Sequence, residues 1–135
     1  MKVENLEKYS SLSLRFGLAI VLFWFSVKQF LNPSAWTGLV PSGISQIIDP
    51  VYIIYLNVNL EIILGALLIL GLFTRVASLV LLIHLIPIIL SLGIDSPSAI
   101  RDVGLLFAAL ALALSGSNFI SIDSIIKKRK EKNKK

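Results

Sequence analysis

Six side chains able to hold a ligand or move a proton interrupt an otherwise apolar chain: Gln29, Asn57, Glu61, His84, Arg101 and Asp102. The stretch "YLNVNLEIILG", residues 55 to 65, states the problem in miniature, with Asn57, Asn59 and Glu61 set among Leu, Ile and Val. A carboxyl group and an imidazole exchange protons with a bound molecule, and a guanidinium polarises a carbonyl. Asn57, Glu61 and Gly65 stand at i, i+4 and i+8, so a helix puts them on one face, while Asn59 points elsewhere.

The surroundings of these residues are those of a bilayer. Of 135 residues, 56% are hydrophobic and only 16% charged, more apolar surface than one soluble domain of this length can bury. Uncharged runs cover 16–27, 62–74, 76–94 and 103–122. With one intramembrane charge tolerated in two of them, four spans follow, near 11–31, 51–73, 76–94 and 97–116. Each is long enough as a helix to cross a hydrocarbon core of roughly 30 Å. The expected architecture is all-α, a polytopic, up-and-down four-helix transmembrane bundle over 11–126. A terminal segment, 1–10, precedes it and a basic tail, 127–135, follows.

No small-x-small cleavage site follows the first span, so it reads as a retained helix ended by Asn32-Pro33. The chain has no cysteine, which excludes thiol redox chemistry, cysteine-ligated clusters and disulfides within it. Its one histidine excludes a bis-histidine haem, and no metal is expected.

Four spans place both termini on one side. Lys2, Lys8, Arg75 and the tail "KKRKEKNKK" share that side, and loops 32–50 and 95–100 carry no Lys or Arg. The positive-inside rule therefore predicts a multi-pass protein of the cell membrane with both termini cytoplasmic. The tail is expected to meet anionic headgroups rather than nucleic acid. Asp49-Pro50 and Ser96-Pro97 read as N-caps followed by proline at the first helical position, and Gly116-Ser117-Asn118 as a stop. The short turn near "GLFTR" makes the second and third spans antiparallel neighbours. The loop "NPSAWTGLVPSGISQIIDP" is too apolar to stand in water, and a short interfacial helix or cap is expected there. Trp36 and Pro41 are its candidate lid residues, and a connector resting on the membrane fits equally.

An ionisable group at bilayer depth costs about 2.5–3.5 kcal/mol on insertion scales and should face the bundle interior. Glu61 falls about 15 Å along its helix, near the midplane, and His84 falls at a similar depth. Three states of Glu61 fit: protonated, paired with Arg101, or hydrogen-bonded to His84. On the first span Arg15, Ala19, Leu22, Ser26 and Gln29 form one stripe. Lys28 points away from it, toward headgroups or Asp49; Arg15 is expected to reach toward the inner surface, and an inward-facing role for it stays open. On the fourth span Gly104, Ala108, Ala109 and Ala113 offer small faces for close helix contact.

Four segments in order, "LRFGLAIVLFWFSVKQFLNPSAW", "LEIILGALLILGLFTRVASLVLL", "IRDVGLLFAALALALSG" and "FISIDSI", resemble the DoxX/DoxD-like family of four-helix membrane proteins. The most specific pieces are the Glu61–Gly65–Gly71–Thr74–Arg75 string, the Arg101-Asp102 pair and the Ser-Ile-Asp at 121–123. The resemblance implies an association with membrane redox systems, either thiosulfate:quinone oxidoreductase or oxidative-stress complexes. It also carries the family's helix-2 Glu and helix-4 Arg-Asp onto Glu61 and Arg101-Asp102. One departure stands out. Where the family has a lysine four residues before the proline that ends helix 1, this chain has Gln29, with lysine one place earlier as Lys28.

Two functions fit these residues. One is a membrane subunit of a redox complex offering a quinone-sized site, with electrons coming from a soluble or membrane oxidoreductase partner. The other is a scaffold or assembly protein whose polar core is structural. Alone, the chain is not expected to be an enzyme, and it holds no cofactor of its own. The lipid bilayer is the obligatory partner, and a homo-oligomer is compatible with the same residues. Transport is the weakest reading, because no internal duplication is visible.

Overall fold

In the computed structural model residues 3–116 and 120–133 are described. They form helices and connecting turns, with no strand among them. The helices are α1 (Val3–Leu31), α2 (Ser42–Ser45), α3 (Pro50–Leu70), α4 (Thr74–Leu92), α5 (Pro97–Ser115) and α6 (Ile122–Lys132), and a 3-10 helix spans Pro33–Leu39. Four segments are long and apolar enough to cross a bilayer: Tyr9–Leu31, Pro50–Leu70, Thr74–Leu92 and Pro97–Ser115.

The ends of these helices follow local chemistry. Pro33 cannot continue α1 and starts the 3-10 turn instead. Asp49 caps α3, its carboxylate accepting from the Val51 amide at 2.8 Å. Gly71, at φ +62°, closes α3, with Leu72 N donating to the Leu67 carbonyl and Gly71 N to that of Leu68. That is the Schellman arrangement, which needs a left-handed residue. Ser96 precedes α5 as expected, but its hydroxyl makes no cap bond, and its backbone carbonyl accepts from Ile100 instead. The predicted stop after α5 is taken by Gly116, at φ +69°; Ser117 and Asn118 lie outside the described residues.

α3 and α4 touch across their short turn, but the closest packing pairs α1 with α3 and α4 with α5. Small residues permit it. Ala19 and Ser26 of α1 are buried toward α3, whose Gly65 faces the Phe23 ring so closely that an added Cβ would stand 3.1 Å from it. Ala77 and Ser78 of α4, with Ala99, Ala109 and Ala113 of α5, do the same for the second pair. Gly104 belongs to no such face: it is exposed and has nothing within 4 Å of an added Cβ. It lies five residues before Ala109, about 140° round the helix. Between the pairs, Leu18, Leu22, Leu64, Leu68, Leu81, Leu85 and Leu112 form the buried core.

Two alternatives are narrowed. Arg15 takes the inward-facing one and is 1% exposed inside the bundle. Its Nε donates to the Leu68 carbonyl at 2.8 Å, Nη2 to Ile69 at 2.7 Å and Nη1 to Ile120 at 3.0 Å. Buried carbonyls at the end of α3 need donors, and one planar guanidinium supplies several. Lys28 does not meet Asp49, whose carboxylate serves the α3 cap; its ammonium lies 5.6 Å from the centre of the Trp24 ring, one turn back along α1.

Candidate functional site

The buried stripe of α1 sets the first wall of the site. Ser26 and Gln29, 1% and 4% exposed, face Glu61 of α3, itself 4% exposed. Ser26 Oγ shares its one proton between the Leu22 carbonyl at 2.8 Å and Glu61 Oε2 at 3.1 Å, and Gln29 Nε2 reaches both carboxylate oxygens at 3.4 Å. One turn before Glu61, Asn57 Nδ2 donates to Glu61 Oε1 at 2.9 Å and to Gln29 Oε1 at 2.8 Å. Asn59, on the other face, folds its amide back onto the Tyr55 carbonyl at 2.7 Å, which satisfies it on an exposed surface.

From α4, His84 brings Nε2 to 3.8 Å from Glu61 Oε1, too far for a hydrogen bond. That nitrogen is buried and has no partner. A second wall comes from α5, where Arg101 Nε donates to Asp102 Oδ1 at 2.8 Å. Asp102 is 4% exposed. The guanidinium carbon of Arg101 lies 4.8 Å from the centre of the Phe25 ring, and Trp36 meets that ring edge-on at 5.7 Å.

These groups surround one cavity of about 450 Å³ at the loop end of the bundle. Gln29, Asn57, Glu61, His84, Arg101 and Asp102 all line it, as do Trp36 and Pro41. Gln29, Asn57, Glu61 and His84 gather at one wall. Arg101 does not join Glu61; it bonds Asp102 across the space. The 3-10 helix and the residues after it contribute Trp36, Leu39, Val40 and Pro41 to the cavity lining, while Leu81, Leu85 and Ile88 supply apolar wall. A volume of this order and an apolar lining with few convergent polar groups are the features of a small-molecule site. Among the described residues no three His, Cys, Asp or Glu side chains are grouped to hold a metal ion.

Two participants escaped the sequence reading of the site. Ser26 was on the inward stripe three residues before Gln29, and Glu61's need of donors was the signal for it. Phe25 carried no signal, because its role under Arg101 exists only once α1 and α5 are side by side. A third cluster, at the opposite end, also escaped: Asp123 accepts from the amides of Phe73 and Thr74 at 2.9 and 3.0 Å, capping α4 from a distant segment. Ser121 beside it caps α6 through Ser124 N at 3.1 Å.

The fold and this cavity together define a small four-helix membrane protein with a polar intramembrane site. A family model described as DoxX matches residues 10–93, well over half of the chain, and the chain belongs to the DoxX family. The match takes in Gln29, Asn57, Glu61 and His84 and ends before Arg101, Asp102 and Asp123. No curated protein and no solved structure matches the chain.

Proposed function

We propose that the chain is a membrane subunit of a redox system and that its loop-end cavity binds a quinone. The observation that carries this reading is the buried Nε2 of His84, 3.8 Å from Glu61 Oε1 and without a hydrogen-bond partner, on a residue that lines the cavity together with Arg101. An orphaned buried nitrogen is costly, and a ligand oxygen removes the cost. A ring of quinone size stacks on Trp36 and Phe25, one oxygen meets His84 and the other meets the Arg101 guanidinium. Electrons come from a partner oxidoreductase, since the chain has no cysteine to ligate an iron–sulfur cluster. Both termini face the cytoplasm in this reading, because Arg75 and the basic α6 lie at the end opposite the Lys- and Arg-free loops.

Decylbenzoquinone titrated into the purified protein tests it. The chain has two tryptophans, Trp24 and Trp36, and both line the cavity. Saturable quenching of their fluorescence, lost in His84→Phe and reduced in Trp36→Phe, is expected. Non-saturating quenching, equal in all variants, is partition into detergent and rejects the site.

A second reading, a scaffold with a structural polar core, is favoured by one observation: Ser26, Gln29 and Asn57 already supply Glu61 with donors. It predicts that the same titration gives no saturable signal while Glu61→Gln still destabilises the protein.

A further inference from the structure

The end of the bundle opposite the cavity carries a second concavity, of about 650 Å³, between α6 and the start of α4. Lys127, Lys128 and Glu131 enter it from α6, Arg75 and Thr74 from α4, and Asp123 closes its base. Lys127, Lys128 and Glu131 share one helical face with Ser124, at i+3, i+4 and i+7, so α6 presents a single side to the cleft. Arg129 and Lys130 are on its other sides, and Lys132, one turn past Lys128, does not line it.

The polar groups here are unequally satisfied. Asp123 uses both carboxylate oxygens on the amides of Phe73 and Thr74. Among the described residues the Arg75 guanidinium reaches only the Leu114 carbonyl, at 3.5 Å, the limit of a hydrogen bond. Thr74 is 0% exposed, and its hydroxyl is buried without a partner. Three cations and two carboxylates leave the cleft with one net positive charge. It lies where α4 begins, at the membrane boundary, and α6 exposes Ile125 and Ile126, 64% and 42%, beside its lysines. Apolar side chains beside lysines are how an interfacial helix rests at headgroup level.

We infer that this cleft binds the phosphodiester headgroup of an anionic phospholipid in the leaflet at the termini end. Arg75 offers a planar fork to the phosphate and Lys127 and Lys128 offer point charges. Glu131 accepts from hydroxyls of a glycerol headgroup. The single net charge matches a phosphodiester monoanion. A zwitterionic choline headgroup brings no net charge to neutralise and no hydroxyl to donate. The bound lipid ties α6 to the end of α4, in addition to the Asp123 cap.

Native mass spectrometry of the full chain in detergent, titrated with dioleoylphosphatidylglycerol or dioleoylphosphatidylcholine, tests the inference. One phosphatidylglycerol is expected to bind at least about tenfold more tightly than phosphatidylcholine. Arg75→Gln/Lys127→Gln/Lys128→Gln should bring that ratio near one. Arg129→Gln/Lys130→Gln/Lys132→Gln removes the same charge from α6 positions that do not line the cleft and should preserve it. All six side chains are exposed, so both variants are expected to fold, which circular dichroism checks; single Lys127→Gln serves if the triple variant does not. Equal loss in the two triple variants overturns the site in favour of diffuse charge. Full competition by millimolar inorganic phosphate overturns the lipid in favour of a free anion. The loop-end cavity lies at the other end of the helices, so quinone quenching is expected to be unchanged throughout.

Discussion

His84 Nε2 stands 3.8 Å from Glu61 Oε1, buried and unpartnered, while the carboxylate beside it accepts from three other side chains. One member of the pair is satisfied by the protein and the other is not. Deletions of the two should therefore behave in opposite ways.

Glu61→Gln replaces one of the two acceptor oxygens used by Gln29 and Asn57 with an amide donor, while Ser26 keeps the Leu22 carbonyl as its acceptor. A destabilisation of about 1–3 kcal/mol is expected. His84→Phe removes an orphaned nitrogen from an apolar wall and should leave the ligand-free protein as stable as the parent, or more so, while abolishing stabilisation by decylbenzoquinone. Thermal unfolding in one detergent, with and without the quinone, reads both. A large loss of stability in ligand-free His84→Phe would show that the imidazole is structural.

Arg15 yields a prediction at the other end of the bundle. Its guanidinium holds the carbonyls of Leu68 and Ile69 together with that of Ile120, tying the end of α3 to the segment before α6. Lysine keeps the charge but has neither the planar fork nor the reach to all three oxygens. Arg15→Lys should fail to rescue Arg15→Gln, with each variant losing about 3 kcal/mol or more. Size-exclusion profiles and unfolding midpoints measure this; a parent-like Arg15→Lys contradicts it.

Much of the architecture was legible because a bilayer imposes simple rules. Uncharged runs gave the spans, Asp49-Pro50 gave the start of α3, and the Arg15–Ala19–Leu22–Ser26–Gln29 stripe is buried as its spacing required. The same spacing put Asn57 and Glu61 on one face. What stayed hidden depends on how helices meet. That Arg15 serves α3 rather than headgroups, that Arg101 lies on Phe25, and that Asp123 caps α4 are contacts between segments far apart in the chain. Period alone says which residues face inward, not which neighbour receives them.

Gly71 tests the crowding at Arg15. At φ +62° and ψ +40° it is left-handed, so alanine strains the backbone there by about 1–2 kcal/mol. An added Cβ would also lie 2.5 Å from Arg15 Nη2 and from Ser121 Cβ. Gly71→Ala should therefore cost clearly more than that strain alone in the same unfolding assay. A loss of only about 1–2 kcal/mol would mean that the inner end relaxes freely and that Arg15 is not tightly held.

Arg101 and Asp102 decide whether the second wall belongs to the protein or to its ligand. Asp102 is buried and accepts from Arg101 at 2.8 Å, yet Arg101 keeps a side chain 48% exposed over the Phe25 ring. Arg101→Gln leaves a buried carboxylate without that cation, so it should destabilise more than Arg101→Gln does when Asp102→Asn is also present. A coupling of about 1–2 kcal/mol is expected from the double-mutant cycle, as for residues in direct contact. Repeating the cycle on quinone affinity separates the roles. If Arg101 meets the ligand, Arg101→Gln weakens binding by about tenfold in either Asp102 background. If it only neutralises Asp102, the loss disappears once Asp102→Asn is present, and Arg101 is a positioning residue for the wall.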